Sequence, residues 1–149
     1  MEHSIEALKN NGCDIIVSVG GGSVIDSSKM IRHYYDINIP NIAIPTTLSA
    51  SEFSHIAGYT LDSEKNGVRD KRITPNVIIL DPEAALETPQ RLWRSTGIRA
   101  LDHAIETIIS NSDSEIATVM AMKAVEKLFN HLGGSESKDR MECFLAAWY

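Results

Sequence analysis

The sequence predicts an α/β fold in the first part of the chain and an all-α fold in the second. Three short apolar runs rich in β-branched residues have the composition of parallel strands, and the first and third are of the kind buried on both faces of the sheet. They are Asp14–Val19, Asn41–Ile44 and Val77–Leu80. After Pro82 the apolar residues recur at helical spacing instead. We therefore expect part of a parallel-sheet α/β domain over residues 1–82 and the start of a helical domain over residues 83–149.

The composition excludes two classes of partner. The chain has 149 residues, of which 43% are hydrophobic, and a formal net charge of -6. An acidic chain without a Lys/Arg cluster offers no surface for a nucleic-acid backbone. No apolar stretch approaches the roughly 20 residues that a membrane helix needs, and the first residues do not resemble a signal peptide. We expect a cytoplasmic protein that binds neither nucleic acid nor a membrane, with both cysteines, Cys13 and Cys143, buried as free thiols.

A βα unit is the clearest local pattern. A short helix is expected over Ser4–Asn11, with Gly12 as its C-terminal cap. The first strand then runs to three glycines, and a helix follows from Val24. Further on, residues 56–61 are expected to form a strand, with a turn over residues 62–67 and a charged return strand from Val68.

The second part is expected to contain three helices. Thr88 is the expected N-cap of the first, with Pro89 in its first turn. Ser112 or Asp113 can cap the second helix, which extends to Gly133, and a last helical segment begins near Ser135. The first of these helices carries an apolar stripe, which comprises Ile98, Leu101, Ile105 and Ile108.

Gly20-Gly21-Gly22-Ser23 is the segment with the most evident chemistry. Glycines between a buried strand and a helix permit positive φ angles and leave the first helical N–H groups open to a phosphate. The segment matches neither the G-x-G-x-x-G dinucleotide pattern nor the P-loop ending. A tight structural turn is the alternative, but the strand-to-helix context favours a phosphate.

Four segments in order carry a resemblance to a known family. They are Gly20–Lys29 (GGGSVIDSSK), Pro45-Thr46-Thr47 with Ser51-Glu52, Asp81-Pro82-Glu83, and Gly97–Glu106 (GIRALDHAIE). Together they resemble the motifs of the iron-containing alcohol dehydrogenases. The resemblance covers nearly the whole chain but only the middle of such an enzyme, so we expect an internal fragment of a dehydroquinate synthase-like fold.

The resemblance implies NAD or NADP as cofactor and assigns residues to it. Gly20, Gly21, Gly22 and Ser23 would hold the pyrophosphate. Asp26 would lie near the nicotinamide, with a first-turn acid favoured by the helix dipole as the alternative. Thr46, Thr47 and Ser51 would line the cofactor.

Metal binding is where the sequence departs from the family. His103 matches a metal-ligand position, and the family's partner ligand is an Asp four residues earlier, on the same helix face. Arg99 stands there instead, and a guanidinium cannot ligate Fe²⁺ or another divalent cation. Asp102 does not share a face with His103. Arg99 itself could polarise a substrate carbonyl as a fixed electrophile.

The expected function is hydride transfer between NAD(P)H and a small alcohol, aldehyde or oxo-acid. The loop from Thr46 is one residue shorter than in typical members, a feature shared with the maleylacetate reductases, although those usually carry a different residue at the position of Asp26. Two alternatives stay open. One is a truncated or inactive nucleotide-binding chain, and the other is a sugar-phosphate cyclase of the dehydroquinate synthase type. A homodimer is the assembly considered.

Overall fold

The computed structural model describes residues 2–61, 64–110 and 114–149. They form two compact units. The first comprises Met1–Pro45 and Ser51–Ile79, and the second comprises Thr46–Ala50 and Leu80–Tyr149. The first unit is α/β and the second is helical, so the expected fold class is confirmed. The division into domains at residue 82 stays a prediction.

The first unit contains a three-stranded parallel sheet and a separate antiparallel hairpin. Its elements are α1 (Glu2–Asn11), β1 (Ile16–Gly20), α2 (Gly22–Tyr34), β2 (Asn41–Pro45), β3 (Ile56–Leu61), β4 (Glu64–Arg69) and β5 (Val77–Ile78). The parallel sheet has the order β1-β2-β5, and β1 is in register with β2 from Ile16 opposite Asn41 to Gly20 opposite Pro45. Both β1 and β2 therefore end at the same edge of the sheet.

The expectation that β1 is buried on both faces is wrong. Val17 and Val19 are each 54% exposed, whereas Ser18 between them is buried. Side chains alternate between the faces of a strand, so β1 has one buried and one exposed face. Ser18 donates to the carbonyl of Ile42 at 3.2 Å, which satisfies its buried hydroxyl.

Gly12 follows the last residue of α1 and has a positive φ of 61°, as expected for a C-terminal cap.

The third strand is shorter than expected. β5 contains only Val77 and Ile78, although the amide of Ile79 still donates to the carbonyl of Ala43 at 2.9 Å. Leu80, expected at the end of this strand, belongs to the second unit and packs against its core. The apolar run is continuous, but its last residue contributes to a different core.

The hairpin is confirmed, but its return strand begins earlier than expected. β3 pairs with β4 from Ile56 opposite Arg69 to Leu61 opposite Glu64, so the strand starts four residues before Val68. Asn66 and Arg69 are exposed, which lets a polar sequence form a strand at little cost. Asp62 and Ser63, part of the expected turn, lie outside the described residues.

The second unit consists of three helices around one core. They are α3 (Gln90–Ile109), α4 (Glu115–His131) and α5 (Ser137–Trp148). The centre of the core is Trp93, which is fully buried with its ring edge against the ring of Phe144 at 5.5 Å between centroids. Small side chains from α3 and α4 fill much of the rest. These are Ala104, Ala121 and Ala124.

The apolar stripe of α3 is not its buried face. Ile98, Ile105 and Ile108 are between 37% and 58% exposed. The buried residues are Trp93, Gly97 and Ala104. Gly97 and Ala104 are small, which lets neighbouring side chains of the helical unit approach closely. The spacing of apolar residues predicted the helix correctly, but it indicated the face with the large side chains as the buried one, whereas the small residues are buried instead.

The helix ends also differ from the expected caps. Thr88 is not an N-cap, because its hydroxyl donates to the carbonyl of Thr46 at 2.8 Å and Pro89 precedes the first helical residue. α4 is capped by Ser114, whose hydroxyl accepts from the amide of Ala117. The candidates Ser112 and Asp113 lie outside the described residues.

The two cysteines have different environments in the described part of the chain. Cys143 is a buried thiol, and burial raises its pKa to about 12. Cys13 is exposed, contrary to expectation, because it follows the end of α1 at Gly12. None of the helices within residues 2–61, 64–110 and 114–149 has the length and apolar character needed to cross a membrane.

The close approach of α3 and α4 at Gly97 gives a stability prediction. A Cβ at Gly97 would lie 2.2 Å from Cδ1 and 3.1 Å from Cγ of Leu132. We expect Gly97→Ala to lower the free energy of unfolding by about 1–3 kcal/mol, even though alanine has the higher helix propensity. Urea denaturation followed by circular dichroism measures the change.

Gly133→Ala is the matched control, because a Cβ there has no atom within 4 Å. It should leave stability unchanged or raise it. Adding Leu132→Ala to Gly97→Ala should cost less than the sum of the two single changes, since it removes the clash. Additive costs would show that the contact with Leu132 is not the cause.

Candidate functional site

The first part of the candidate site is the junction between β1 and α2. Gly20, the last residue of β1, has a φ of +153°, which side-chain-bearing residues rarely adopt. A Cβ there would also lie 2.8 Å from Cγ2 of Val24. Gly20 is therefore required by both its backbone angle and the close approach of the helix.

The N-terminus of α2 is open to an anion. Gly21 is the N-cap residue and makes no side-chain cap, and the first turn contains no acidic residue. Unsatisfied N–H groups and the helix dipole both attract negative charge at such an end. Ser23 is exposed in the first turn and adds a hydroxyl. The predicted pyrophosphate residues Gly20, Gly21, Gly22 and Ser23 thus form one cradle that fits a phosphate group.

Asp26 lies one turn into α2 and is already engaged within the first unit. Its Oδ1 accepts from the hydroxyl of Ser51 at 2.5 Å, and its Oδ2 accepts from the amide of Gly58 at 3.1 Å. The side chain is 24% exposed. The structure therefore brings together two of the residues assigned to the cofactor, Asp26 and Ser51, and shows that Asp26 is more than a solvated first-turn acid.

Lys29 was not singled out as a site residue, although it ends the first motif. Its ammonium is fully buried and donates to the carbonyls of Ser51 and Ile56 at 2.5 and 2.9 Å. It also reaches the hydroxyls of Ser51 and Ser54, both at 3.2 Å. Burial lowers the pKa of Lys29, and the nearby carboxylate of Asp26, 3.6 Å away, opposes that effect. The spacing Asp-x-x-Lys was the available signal, because it puts both side chains on one helix face.

Glu52 is the second residue that sequence reasoning missed. It lies in a 3-10 turn over Ser51–Phe53, is 0% exposed, and neither carboxyl oxygen has a hydrogen-bond partner among the described residues. Burial raises its pKa to about 7, while the charge of Lys29 acts in the opposite direction. Only its place beside Ser51 in the second motif pointed to it.

Thr46 and Thr47, also assigned to the cofactor, belong to the second unit. The carbonyl of Thr46 accepts a hydrogen bond from the hydroxyl of Thr88. Two residues later, the amide of Leu48 donates to the hydroxyl of Thr96 at 3.2 Å. Thr47 is 4% exposed, and its hydroxyl has no partner within the described chain. The segment is therefore fixed by hydrogen bonds to residues at the start of the helical unit.

Arg99 and His103 lie one turn apart on α3. Arg99 is exposed and makes no hydrogen bond or ion pair with the described residues. The side chain of His103 is 54% exposed, and its Nδ1 lies 3.4 Å from Oε2 of Glu106. His103 also lines a cavity of about 140 Å³ in the helical unit, together with Thr107, Tyr149 and several alanines.

The residues present do not fit a divalent metal. Iron or zinc needs several His, Cys or carboxylate ligands that converge on one point. Within residues 2–61, 64–110 and 114–149, no three such side chains are grouped in that way. The position that would supply a carboxylate on the face of His103 is occupied by the cationic Arg99. His103 alone does not form a metal centre.

Comparisons with known proteins agree with the motifs. The family model described as iron-containing alcohol dehydrogenase matches residues 1–82. The chain is 32% identical over 152 residues to a maleylacetate reductase of Rhizobium sp. (strain MTP-10005), covering 99% of this chain and 43% of the relative. It is 31% identical over 151 residues to an NAD-dependent methanol dehydrogenase of Bacillus methanolicus, covering 89% and 40%.

The solved structures show the same relationship. The crystal structure of the maleylacetate reductase from Rhizobium sp. strain MTP-10005 superposes with a TM-score of 0.87 at 32% identity, over 99% of this chain and 43% of that chain. This chain therefore spans less than half the length of the relatives that it matches. Over nearly its whole extent it is similar in sequence to the maleylacetate reductase and has the same fold as the matching part of that enzyme.

The buried carboxyl of Glu52 gives a pH prediction. Its folded-state pKa of about 7 lies above the ordinary value of 4.5, so the folded protein holds the proton more tightly. Stability from this group is fully present below pH 4.5 and is lost as the pH rises through 7. We expect Glu52→Gln to gain stability relative to the wild type as the pH rises from 4.5 to 7, by up to about 3 kcal/mol, and the difference to level off above pH 7.

Chemical denaturation at several pH values between 4.5 and 8.5 measures the difference. Glu87→Gln, which removes an exposed carboxyl, controls for the loss of one surface charge. A difference between Glu52→Gln and the wild type that stays constant over this range would contradict the assignment of the proton to Glu52.

Proposed function

The chain belongs to the iron-containing alcohol dehydrogenase family, and we propose that it binds a nicotinamide dinucleotide for hydride transfer to or from a small alcohol, aldehyde or oxo-acid. The family has the dehydroquinate synthase-like fold that the solved relatives share with this chain. The observation that carries the proposal is the N-terminus of α2, which directly follows the turn at Gly20 and has neither a side-chain cap nor an acidic residue in its first turn.

The residues of the first unit would hold the two halves of the cofactor at successive turns of α2. The amides of Gly21 and Gly22 and the hydroxyl of Ser23 would contact the pyrophosphate, where the helix dipole favours negative charge. Asp26 and Ser51, hydrogen-bonded to each other, would contact the nicotinamide half. We also assign Thr46 and Thr47 to the cofactor, because Thr47 has a buried hydroxyl without a partner in the described chain.

The bound cofactor would supply or accept the hydride. The protein must then stabilise the negative charge that develops on the substrate oxygen. We assign this role to Arg99, because its guanidinium carries a fixed positive charge and is exposed on α3 one turn before His103. His103, one turn further along α3, would contribute a hydrogen-bonding group to the same helix face.

A second candidate function is nucleotide binding without turnover. The cationic Arg99 at the position of the expected carboxylate ligand, together with the exposure of His103, favours it. The sugar-phosphate cyclase alternative is less well supported, because the relatives reported above are named as a reductase and a dehydrogenase. A homodimer and a cytoplasmic location remain proposals from the sequence.

A charge placed in the cradle tests nucleotide binding directly. Ser23→Asp puts a carboxylate in the first turn of α2, where a pyrophosphate would be bound. We expect at least about a tenfold rise in the Kd for NADH or NADPH, equivalent to about 1.4 kcal/mol. Titration of the quenching of tryptophan fluorescence by each nucleotide gives both constants and shows which one the protein prefers.

Ser27→Asp is the matched control, because it makes the same change on the same helix one turn later, at an exposed position. Its Kd should stay within about twofold of the wild type, since dipole effects fall off within the first turn. Equal weakening by both variants would show that the effect is a general change in charge. A wild-type protein that binds neither nucleotide would refute the proposed function.

The role of Arg99 is tested by turnover. We expect Arg99→Ala to lower kcat for NADH oxidation with small aldehydes or oxo-acids by about 100-fold or more, while the Kd for NADH is unchanged. Arg94→Ala, which removes an exposed arginine from the same helix, should leave kcat unaltered. Undiminished turnover of Arg99→Ala would remove Arg99 from the mechanism, and a wild type that binds NADH without turnover would favour the non-catalytic function.

A further inference from the structure

The buried ammonium of Lys29 is the least expected feature of the first unit. A lysine is almost never fully buried unless its charge is compensated. Lys29 is 0% exposed on a helix that otherwise presents several side chains to solvent. Its burial has a cost in desolvation, which its surroundings must offset. The partners of its Nζ atom therefore show what this part of the chain is arranged to hold.

These partners belong to one short segment. Nζ lies within 3.2 Å of four oxygens and shares its three protons among them. They are the carbonyls of Ser51 and Ile56 and the hydroxyls of Ser51 and Ser54. The hydroxyl of Ser54 donates in turn to the carbonyl of Ser51 at 3.1 Å. An ammonium that reaches both ends of residues 51–56 holds that segment against α2, because charge-assisted hydrogen bonds are shorter and stronger than neutral ones.

The same ammonium also orders the pair formed by Ser51 and Asp26. The Ser51 hydroxyl accepts from Lys29, so its own proton is directed to Oδ1 of Asp26. The carboxylate of Asp26 lies 3.6 Å from Nζ, and its other oxygen accepts from the amide of Gly58 on the hairpin. Lys29 thus lies against the Ser51 hydroxyl and places a positive charge beside the carboxylate of Asp26.

We propose that Lys29 is a positioning residue, which fixes Ser51 and Asp26 for the nicotinamide half of a bound dinucleotide while the α2 N-terminus binds the pyrophosphate independently. This inference rests on the proposed function. Lys29 would act through Ser51 and Asp26, since its ammonium is enclosed by protein oxygens and is not accessible to a ligand. The two halves of the cofactor would then depend on different residues of one helix.

Two nucleotides separate this role from a purely structural one. ADP carries the adenosine and pyrophosphate but no nicotinamide, so its binding reports on the α2 N-terminus alone. We expect Lys29→Met to raise the Kd for the preferred nicotinamide dinucleotide by at least about tenfold, the effect of losing one charge-assisted hydrogen bond. The Kd for ADP should change by less than about twofold, measured by calorimetry on the full chain. Lys127→Met, which removes the ion pair with Glu142 in the helical unit, controls for a general loss of stability and should not alter the ratio of the two constants.

Ser54→Ala provides a second variant in case Lys29→Met does not fold. It removes one of the acceptors of Nζ and leaves Lys29, Ser51 and Asp26 in place. It should raise the Kd for the dinucleotide by about two- to fivefold, since a neutral hydrogen bond has a smaller net effect than a charged one. The Kd for ADP should again be unchanged.

If either variant lowered the affinity for ADP and the affinity for the dinucleotide by the same factor, the positioning role would be overturned and Lys29 would be a residue needed for folding. Unchanged affinity for both would overturn it as well. A wild-type chain that binds ADP but gains nothing from the nicotinamide half would also refute it, whereas a wild type that binds neither would instead refute the proposed function.

Discussion

The direction of α2 depends on the backbone of Gly20. A φ of +153° turns the chain sharply at the end of β1, and the missing Cβ lets Val24 approach to a distance that no other residue would permit. This turn leaves the first amides of α2 without a side-chain cap. Asp26 and Lys29 lie further along the same helix, so their positions depend on the same turn.

Lys29 connects this helix to the loop after β2. Its buried charge is compensated by oxygens of residues 51–56, and Ser51 transmits that contact to Asp26. Glu52, next to Ser51, is also buried, and burial raises its pKa to about 7 although the charge of Lys29 acts in the opposite direction. The loop after β2 therefore buries a cation and an acid in neighbouring positions, and both depend on their surroundings for their charge state.

The sequence predicted the elements better than their burial. The parallel strands, the hairpin and the helices lie near their expected positions because periodicity and glycine placement are local signals. The exposed faces of β1 and α3 could not be predicted, since which side of an element is covered depends on neighbours distant in sequence. Thr88 matched an N-cap pattern, yet its hydroxyl binds Thr46, a contact 42 residues away that no local rule contains.

The same distinction holds for the site. The glycine cradle followed from local geometry, and the motifs identified Asp26 and Ser51 as members of one group. Lys29 and Glu52 were missed because their importance arises from complete burial, which a charged residue type does not suggest. Arg99 was noticed because it departs from a pattern, and the structure adds that the described residues around His103 do not form a metal centre.

Nucleotide binding at the N-terminus of α2 can be observed residue by residue from backbone amide chemical shifts, followed by NMR as NADH and, in a separate sample, ADP are added. If this terminus binds the pyrophosphate of a nicotinamide cofactor, we expect the amides of Gly21, Gly22 and Ser23 to shift with both nucleotides. The amide of Gly58, which donates to Asp26, should respond to NADH alone. Saturating nucleotide that leaves the amides of Gly21–Ser23 unchanged would contradict this binding site.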